Sequence, residues 1–599
     1  VVAAVIAAGL VAAALALPWL VVLPLHGVAA AAAAALALVA AFHGAGLAIA
    51  RLAGARSGSP LGTVQWGIAA LIGLSGLAIV AGVGTRAVHT ALVLGGIAAH
   101  SVALGAGFRR HAARVAELLA RPRPWLVPTA LLLGLGALGV LGSTGDVAQP
   151  FDDDGHLVAQ VQRVLQTGAL GDPVGYPRHG GLGGQVALAA LATAAGDGLG
   201  GAVDALALVL ALGLAASRIG AADRRGALWG SLLIAAGCAF AAGPTGPVPC
   251  WTAVGLAVAL YAMLAEPDPP ALPLAVTAGA LAALRFELTP IAAVAVALAW
   301  WPRRAAWGRT GSLLGGTLAV AAPFAIARLA AGRSVPRSVH ALIDPAAGPL
   351  VLRAALAAAI AVPAVLVLRA ALPGRALRCA ALASAVAVVA LATHVSGGGA
   401  YSLRLYWPIA IAFAVALVIE LARDDRAGPA ALIGSLLLCL VIFDGSQAAG
   451  RRRWWYRMAE AATDLGYLRA PAAAPAPYAA VLAEVPPGAT VAVWVGQPER
   501  LDYARHRVID LRAPAVAPLR VHRFAPHASQ LEALVAGVAA SFLLIEDDDA
   551  RIERIHDDLV YRLACREPRP MCDDDLEALA GSHPLVTRRG NLRLVDLRR

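Results

Sequence analysis

Three consecutive carboxylates, Asp152, Asp153 and Asp154, stand in the stretch QPFDDDGHLVAQVQRVLQTGALGDP, within a chain otherwise rich in alanine, leucine and valine. Carboxylates side by side repel one another, and partial burial at a bilayer boundary adds a desolvation cost. Both effects raise a carboxyl pKa and make a better general base near neutral pH. The plainer reading is a helix cap, since acidic groups at a helix amino end satisfy its free N–H groups and favour its dipole. A calcium loop fits poorly, because its spaced ligands and closing glutamate are absent. Further candidates are Arg285 and Glu287 in ALRFELTP, Tyr401 and Arg404 in GGGAYSLRLYWP, and Arg337 and His340 in the segment 331–348. An arginine can hold a phosphate through paired hydrogen bonds, and ionisable groups at a membrane boundary are functional candidates. Charges that snorkel to water and an aromatic belt explain the same residues without a function.

The elements that position these groups are set by the solvent. The chain has 599 residues, of which 59% are hydrophobic and 14% charged, with a mean hydropathy of +0.72. Soluble domains carry about 25% charged residues. Runs of about 20 apolar residues recur along the first three quarters, enough to cross a hydrocarbon core of about 30 Å. The pattern predicts a polytopic helical membrane protein. The chain has no lysine, which excludes a phosphate loop of the GxxxxGK[ST] type. The net charge of +11 is arginine-borne and reads as positive-inside loops; no nucleic-acid partner is implied. The first apolar run lacks a basic leader and a cleavage site and reads as a span, not a signal peptide.

Spans are expected at 3–25, 27–50, 62–84, 88–107 and 124–143, then 201–219, 226–243, 249–265, 271–285 and 288–302, and finally 312–330, 349–368, 378–395, 406–422 and 429–446. Arginine clusters at 51–56, 109–123, 218–225, 303–309, 375–378 and 423–426 fall on one side, and the alternate loops are poorer. By the positive-inside rule the rich side is cytoplasmic, so the acidic loop 144–182 faces the periplasm or exterior. GGLGGQVALAALATAAGDG is short and glycine-flanked, and is expected to be interfacial or re-entrant. Before it, Leu157, Val158, Val161, Val164 and Leu165 repeat at helical spacing while Gln160, Arg163 and Gln166 lie off that stripe. This predicts a helix resting on the membrane surface with its apolar face down. After residue 447 a basic, aromatic and then Pro/Ala-rich connector leads to the β-like runs ATVAVWV and SFLLIED and to helical stretches, a small α/β domain. The parity of the spans places that domain on the side of the acidic loop, against the advice of Arg451, Arg452 and Arg453. The expected organisation is additional helices in 1–123, a membrane core in 124–446 and a soluble domain in 447–599.

The order of these features resembles a family. An acidic pair, LVAQVQRVLQTGALG, a glycine-rich stretch before an apolar helix, AADRRGALWGSLLIAAG, LRFELTPIAAVAVALAW and YSLRLYWPIAIAFAVALVIEL together look like the polytopic glycosyltransferases of the GT-C fold. These use polyprenyl-phosphate-linked sugars. The resemblance covers roughly residues 140–446 and implies a GT-C-like α-helical membrane protein of about 15 helices, with the small α/β domain appended. It lays the family's catalytic acidic pair on Asp152 and Asp153, or on Asp153 and Asp154 in a second register. Its Arg-x-Glu-like turn falls on Arg285 and Glu287, and its outer Arg/Tyr-Pro motif on Arg404 and Pro408. The implied partners are a polyprenyl-phosphate sugar donor, membrane lipids and an acceptor of unspecified kind. Asp153 would be the base and Arg404, Arg285 or Arg337 the cation on the leaving phosphate, with Asp152 and Asp154 tuning the base or binding a divalent metal. The family has one span before the acidic loop; about five here leave 1–123 as an addition. A secondary transporter, a polysaccharide ligase or polymerase and an inactive scaffold are the competing classes.

The topology is open to direct measurement. In a cysteine-free background, Thr144→Cys and Ser396→Cys should react with an impermeant thiol reagent added outside intact cells, and Arg224→Cys should not. External labelling at position 224 would invert everything downstream of the acidic loop.

Overall fold

The computed structural model describes residues 25–55, 59–120, 153–170, 182–196, scattered positions between 200 and 214, 250–264, 266, 268–285, 288–300, 307–333, 478–511, 527–547 and 573–598. In the apolar part the helices are α1 (Leu25–Leu52), α2 (Pro60–Val80), α3 (Arg86–Ala120), α4 (Asp153–Thr167), α5 (Gly184–Ala195), α6 (Cys250–Leu264), α7 (Ala271–Leu284), α8 (Thr289–Trp300) and α9 (Trp307–Arg333). Among the described residues four helical segments are long and apolar enough to cross a membrane: Ala33–Leu52, Pro60–Val80, Arg86–Ala106 and Trp307–Ala327. They mark the chain as a candidate multi-pass membrane protein. Leu94, Val102, Leu314 and Leu318 project outward from α3 and α9, a surface suited to lipid. The centre is formed by α2, α5 and α7, buried along nearly their whole lengths.

Between apolar helices in lipid there is no hydrophobic drive, so close approach of small residues and interhelical hydrogen bonds must supply the contact. Both are present. A Cβ at Gly67 would lie 1.6 Å from the Phe42 carbonyl oxygen, one at Gly46 1.8 Å from that of Thr63, and one at Gly44 1.9 Å from that of Gly96. Helices α1, α2 and α3 therefore meet backbone to backbone. Polar links cross the same group. The His43 and His100 rings face each other edge to face with their Nδ1 atoms 2.9 Å apart. The Ser75 hydroxyl lies 2.7 Å from His89 Nε2, and His89 Nδ1 is 3.0 Å from the Thr85 carbonyl. These histidines join helices. Ser59 caps α2, accepting from Gly62 N at 3.1 Å ahead of Pro60 in the first turn.

Loop contacts sort the helix ends into two sets. At one end Gly84 N donates to Gly168 O at 2.9 Å, Leu182 N to Leu284 O at 3.4 Å, and Phe324 packs against Gly76 and Gly183. At the other, Arg309 pairs with Asp268 at 2.9 Å and Trp300 Nε1 donates to Thr310 Oγ1 at 3.0 Å. The arginine pattern makes the same grouping. Helix α5 has 12 residues, about 18 Å of helix, short of the ~30 Å hydrocarbon core. Helix α8 is equally short, and both stand among the shorter apolar helices of the bundle.

The carboxy-terminal domain contains α10 (Tyr478–Leu482), β1 (Thr490–Trp494), a 3₁₀ turn at Pro498–Arg500, β2 (Arg507–Asp510), α11 (His527–Gly537), β3 (Phe542–Glu546), α12 (Asp573–Gly581), β4 (Leu585–Arg589) and β5 (Leu592–Asp596). The sheet order is β2-β1-β3-β5-β4, with β2, β1 and β3 parallel and β5 and β4 antiparallel. The expected runs ATVAVWV and SFLLIED are its central strands β1 and β3. One face packs Ala492, Leu543 and Ile545 against Leu531 and Leu534 of α11 and Leu576 and Leu579 of α12. The other carries Val491, Val493, Phe542 and Leu544 and is covered by Tyr478, Val481 and Leu482 of α10 and, from outside the domain, by Ala159 of α4.

Glycine packing gives a clear test. Gly67→Ala forces a methyl group onto the Phe42 carbonyl and should destabilise the bundle by about 3 kcal/mol or more, read as a lower thermal midpoint and loss of a monodisperse peak in detergent. Gly95, whose Cβ would meet nothing within 4 Å, is the control: Gly95→Ala should be neutral or stabilise by up to about 1 kcal/mol. Equal behaviour of the two variants would refute backbone contact at Gly67.

Candidate functional site

Helix α4 carries two of the three candidate carboxylates, Asp153 and Asp154, in its first turn. Its sequence gives it two usable faces. Leu157, Val161, Val164 and Leu165 are buried in the bundle core. The helix was expected to lay that stripe on lipid; it lies on protein instead, because neighbouring helices present an apolar surface to which it can pack. Roughly opposite, at about 100° per residue, stand Ala159, Arg163 and Gln166, and these grip the carboxy-terminal domain. Arg163 donates to the Val508 carbonyl at 2.6 Å, and its guanidinium lies 4.8 Å from the Tyr503 ring centroid. Gln166 Oε1 accepts from Tyr503 N at 2.8 Å while its Nε2 donates to Leu501 O at 3.3 Å. Tyr503 is held in turn by its hydroxyl, which donates to Pro498 O at 2.9 Å.

Arg285 ends α7 in an extended conformation, with φ −155° and ψ 145°, and is buried. Leu182 N donates to the carbonyl of Leu284, the residue before it, at the start of α5, and Leu170 lies against Gly183 at the same place. These contacts tie Arg285 to the tail of α4, whereas Asp153 and Asp154 stand at its amino end. Asp152, Glu287, Arg337, His340, Tyr401 and Arg404 lie outside the described residues. Among the described residues no group of three or more His, Cys, Asp or Glu could hold a metal ion.

Two polar groups that sequence reasoning passed over are buried in the apolar part. Asp204 is fully buried and accepts from Trp251 N, Thr252 N and Thr252 Oγ1 at 3.0–3.1 Å, capping α6 from a distance. Gln185 is buried in the first turn of α5, and neither atom of its amide has a hydrogen-bond partner among the described residues. The signal for both was a lone polar residue in an apolar run, GGQVALAAL and GGAVDALAL.

Outside the membrane part, His506 is buried, and burial, helped by the adjacent Arg505, pulls its imidazole below the ordinary histidine value. In the domain's far corner Arg593 joins Asp547 and Glu577, which holds its guanidinium charged. Neither feature is near α4's carboxylates in sequence; the Arg593 pairs tie β5 to the end of β3 and to α12. No family model matches the chain, and no curated protein matches it.

The grip on the domain is measurable. Each side-chain hydrogen bond contributes about 1 kcal/mol net, more for a charged donor. Replacing both Arg163 and Gln166 with Ala should raise amide exchange at Tyr503 and along α4 about tenfold or more. Unchanged exchange at Tyr503 would show that the domain does not depend on this helix.

Proposed function

We propose that the chain is an integral membrane glycosyltransferase of the GT-C kind, moving a sugar from a polyprenyl-phosphate donor to an acceptor at the outer face of the membrane. The observation that carries this reading is the placement of Asp153 and Asp154 on a helix fixed at the end of an apolar bundle and clamped on its other side by a folded domain. A general base must be held still relative to its substrate, and a lipid-linked substrate presents its reacting carbon at that boundary.

In this reading an acceptor hydroxyl attacks the anomeric carbon and gives its proton to the Asp153 carboxylate as the bond to the phosphate oxygen breaks. The phosphate departs with its electron pair, and, since the chain has no lysine, an arginine, a histidine or a metal must meet its charge. Arg285 and Arg404 are the candidates, with Arg337 and His340 behind them and Tyr401 and Glu287 shaping the sites. Asp152 and Asp154 adjust the base or share a divalent ion with it. The carboxy-terminal domain, held on α4, sits beside the acidic loop and faces the same compartment.

A second reading has one observation in its favour. A short helix buried within a bundle is also how secondary transporters build ion and substrate sites, and α5 is such a helix.

The full chain in nanodiscs, given a panel of sugars linked to polyprenyl phosphate, should release polyprenyl phosphate and transfer or hydrolyse the sugar. Asp153→Asn should lower that rate by about 10²–10⁴-fold with folding intact. Asp152→Asn and Asp154→Asn report the register: if one of them is inactive and Asp153→Asn is not, the base is its neighbour. Release by none of the donors, together with uptake into proteoliposomes, would favour the transporter.

A further inference from the structure

The amino end of α5 is built in an unusual way for a segment enclosed by apolar helices. Its N-cap is Gly183, with φ 119° and ψ −7°, a left-handed conformation that disfavours any residue with a side chain, and no side chain caps the helix. Gly184 follows with no room for a methyl group: a Cβ there would lie 2.8 Å from the carbonyl of Ala283. The two glycines bring the start of α5 against the last turn of α7, and at both positions the backbone rules out a capping side chain. The first N–H groups of a helix have no partner within it, and residues 182–193 are buried. The helix dipole therefore ends, positive end first, inside the protein.

A second and independent observation lies in the same turn. Gln185 is only 5% exposed, and neither Nε2 nor Oε1 has a partner among the described residues. The residue belongs to the first turn of the helix, where Cα–Cβ bonds tilt toward the amino end. Arg285, 6% exposed, comes immediately after Leu284, whose carbonyl accepts from Leu182 N. Arg285 has a partner of its own; what it adds is a buried basic residue next in sequence to the backbone that meets the start of α5. Neither α5 nor α7 contains an acidic residue.

Free backbone N–H groups, a helix dipole, an unpaired amide and a guanidinium together suit an anion with several oxygens. We propose that the turn Gly183–Gln185, with Arg285, binds the phosphate of a phosphate ester, and that in the membrane this ester is a polyprenyl phosphate. The choice of lipid rests on the glycosyltransferase reading; the anion site does not. Gln185 is then a binding residue with no part in proton transfer.

The test measures retention of polyprenyl phosphate, of polyprenol lacking the phosphate, and of inorganic phosphate by the full chain in nanodiscs. Wild type should hold polyprenyl phosphate at least about tenfold more tightly than polyprenol, and Gln185→Leu or Arg285→Gln should remove about tenfold of that affinity. Gln65 is a comparable control, 1% exposed with an equally unpaired amide but in the interior of α2, and Gln65→Leu should bind as wild type does. If Gln185→Leu does not fold, Gln185→Glu keeps the size and repels the anion, and should bind still more weakly. Inorganic phosphate that competes at millimolar levels, where the lipid shows no preference over polyprenol, would assign the same site to a water-borne phosphate ester. Wild type that prefers neither phosphate compound, or a folded Gln185→Leu with undiminished affinity, overturns the site. Binding that depends on Gln185 without any sugar transfer would sink the glycosyltransferase reading and leave the site standing. Transfer at the wild-type rate and KM by Gln185→Leu would do the reverse.

Discussion

A helix of 15 residues standing alone in water is marginal, and α4 is amphipathic with a charged first turn, so it cannot be held by its own backbone. It is held because two bodies need it. The bundle takes Leu157, Val161, Val164 and Leu165 into its core, and the sheet takes Ala159 beside Val491, Val493 and Leu544. Among the described residues the domain covers that face with the five-residue α10 and with Val485, Leu501 and Tyr503. Arg163 and Gln166 then satisfy backbone groups at Leu501, Tyr503 and Val508. One short helix thus joins the bundle, the carboxy-terminal domain and the carboxylates at its amino end.

The bundle meets a different constraint. With lipid as solvent, burying leucine gains little, and contact depends on how closely backbones approach and on which polar groups find partners. Gly44, Gly46, Gly67 and Gly96 supply the first. Ser75, His43, His89 and His100 supply the second, and Asp204 shows how far this goes. A buried carboxylate is among the costliest groups to desolvate, yet four contacts from the start of α6 make it a structural joint between two segments.

How legible this was from the chain depended on the range of each contact. The stripe Leu157, Val161, Val164 and Leu165 was plain, because helical spacing is local; its partner surface was not, and lipid was the natural guess. The second stripe, Ala159, Arg163 and Gln166, carried no warning. The Arg163 contact spans 345 residues of sequence, and a polar face looks the same whether it meets water or another domain. The strands ATVAVWV and SFLLIED were readable as continuous apolar runs, as strands buried on both faces must be. Their neighbours in the sheet were not, since strand order is set by crossovers that leave no local mark. The apolar helix at 184–195 was readable from its composition and flanking glycines, whereas the unpaired amide at its start needed three dimensions.

Gln65 and Gln185 make the last distinction. Both are buried glutamines with unpaired amides in apolar helices, and an orphaned amide costs about 1–3 kcal/mol in either place. Gln65 sits in the interior of α2, where the helix satisfies its own backbone, and it faces Gly255, whose missing side chain leaves room for the amide: a Cβ there would lie 2.7 Å from Gln65 Oε1. That is a packing solution with no source of charge beside it. Gln185 sits where the backbone has free donors, a dipole ends and an arginine follows one residue beyond the contact. The same side chain is filler in one setting and a ligand-seeking group in the other, and the difference lies in the peptide groups around it.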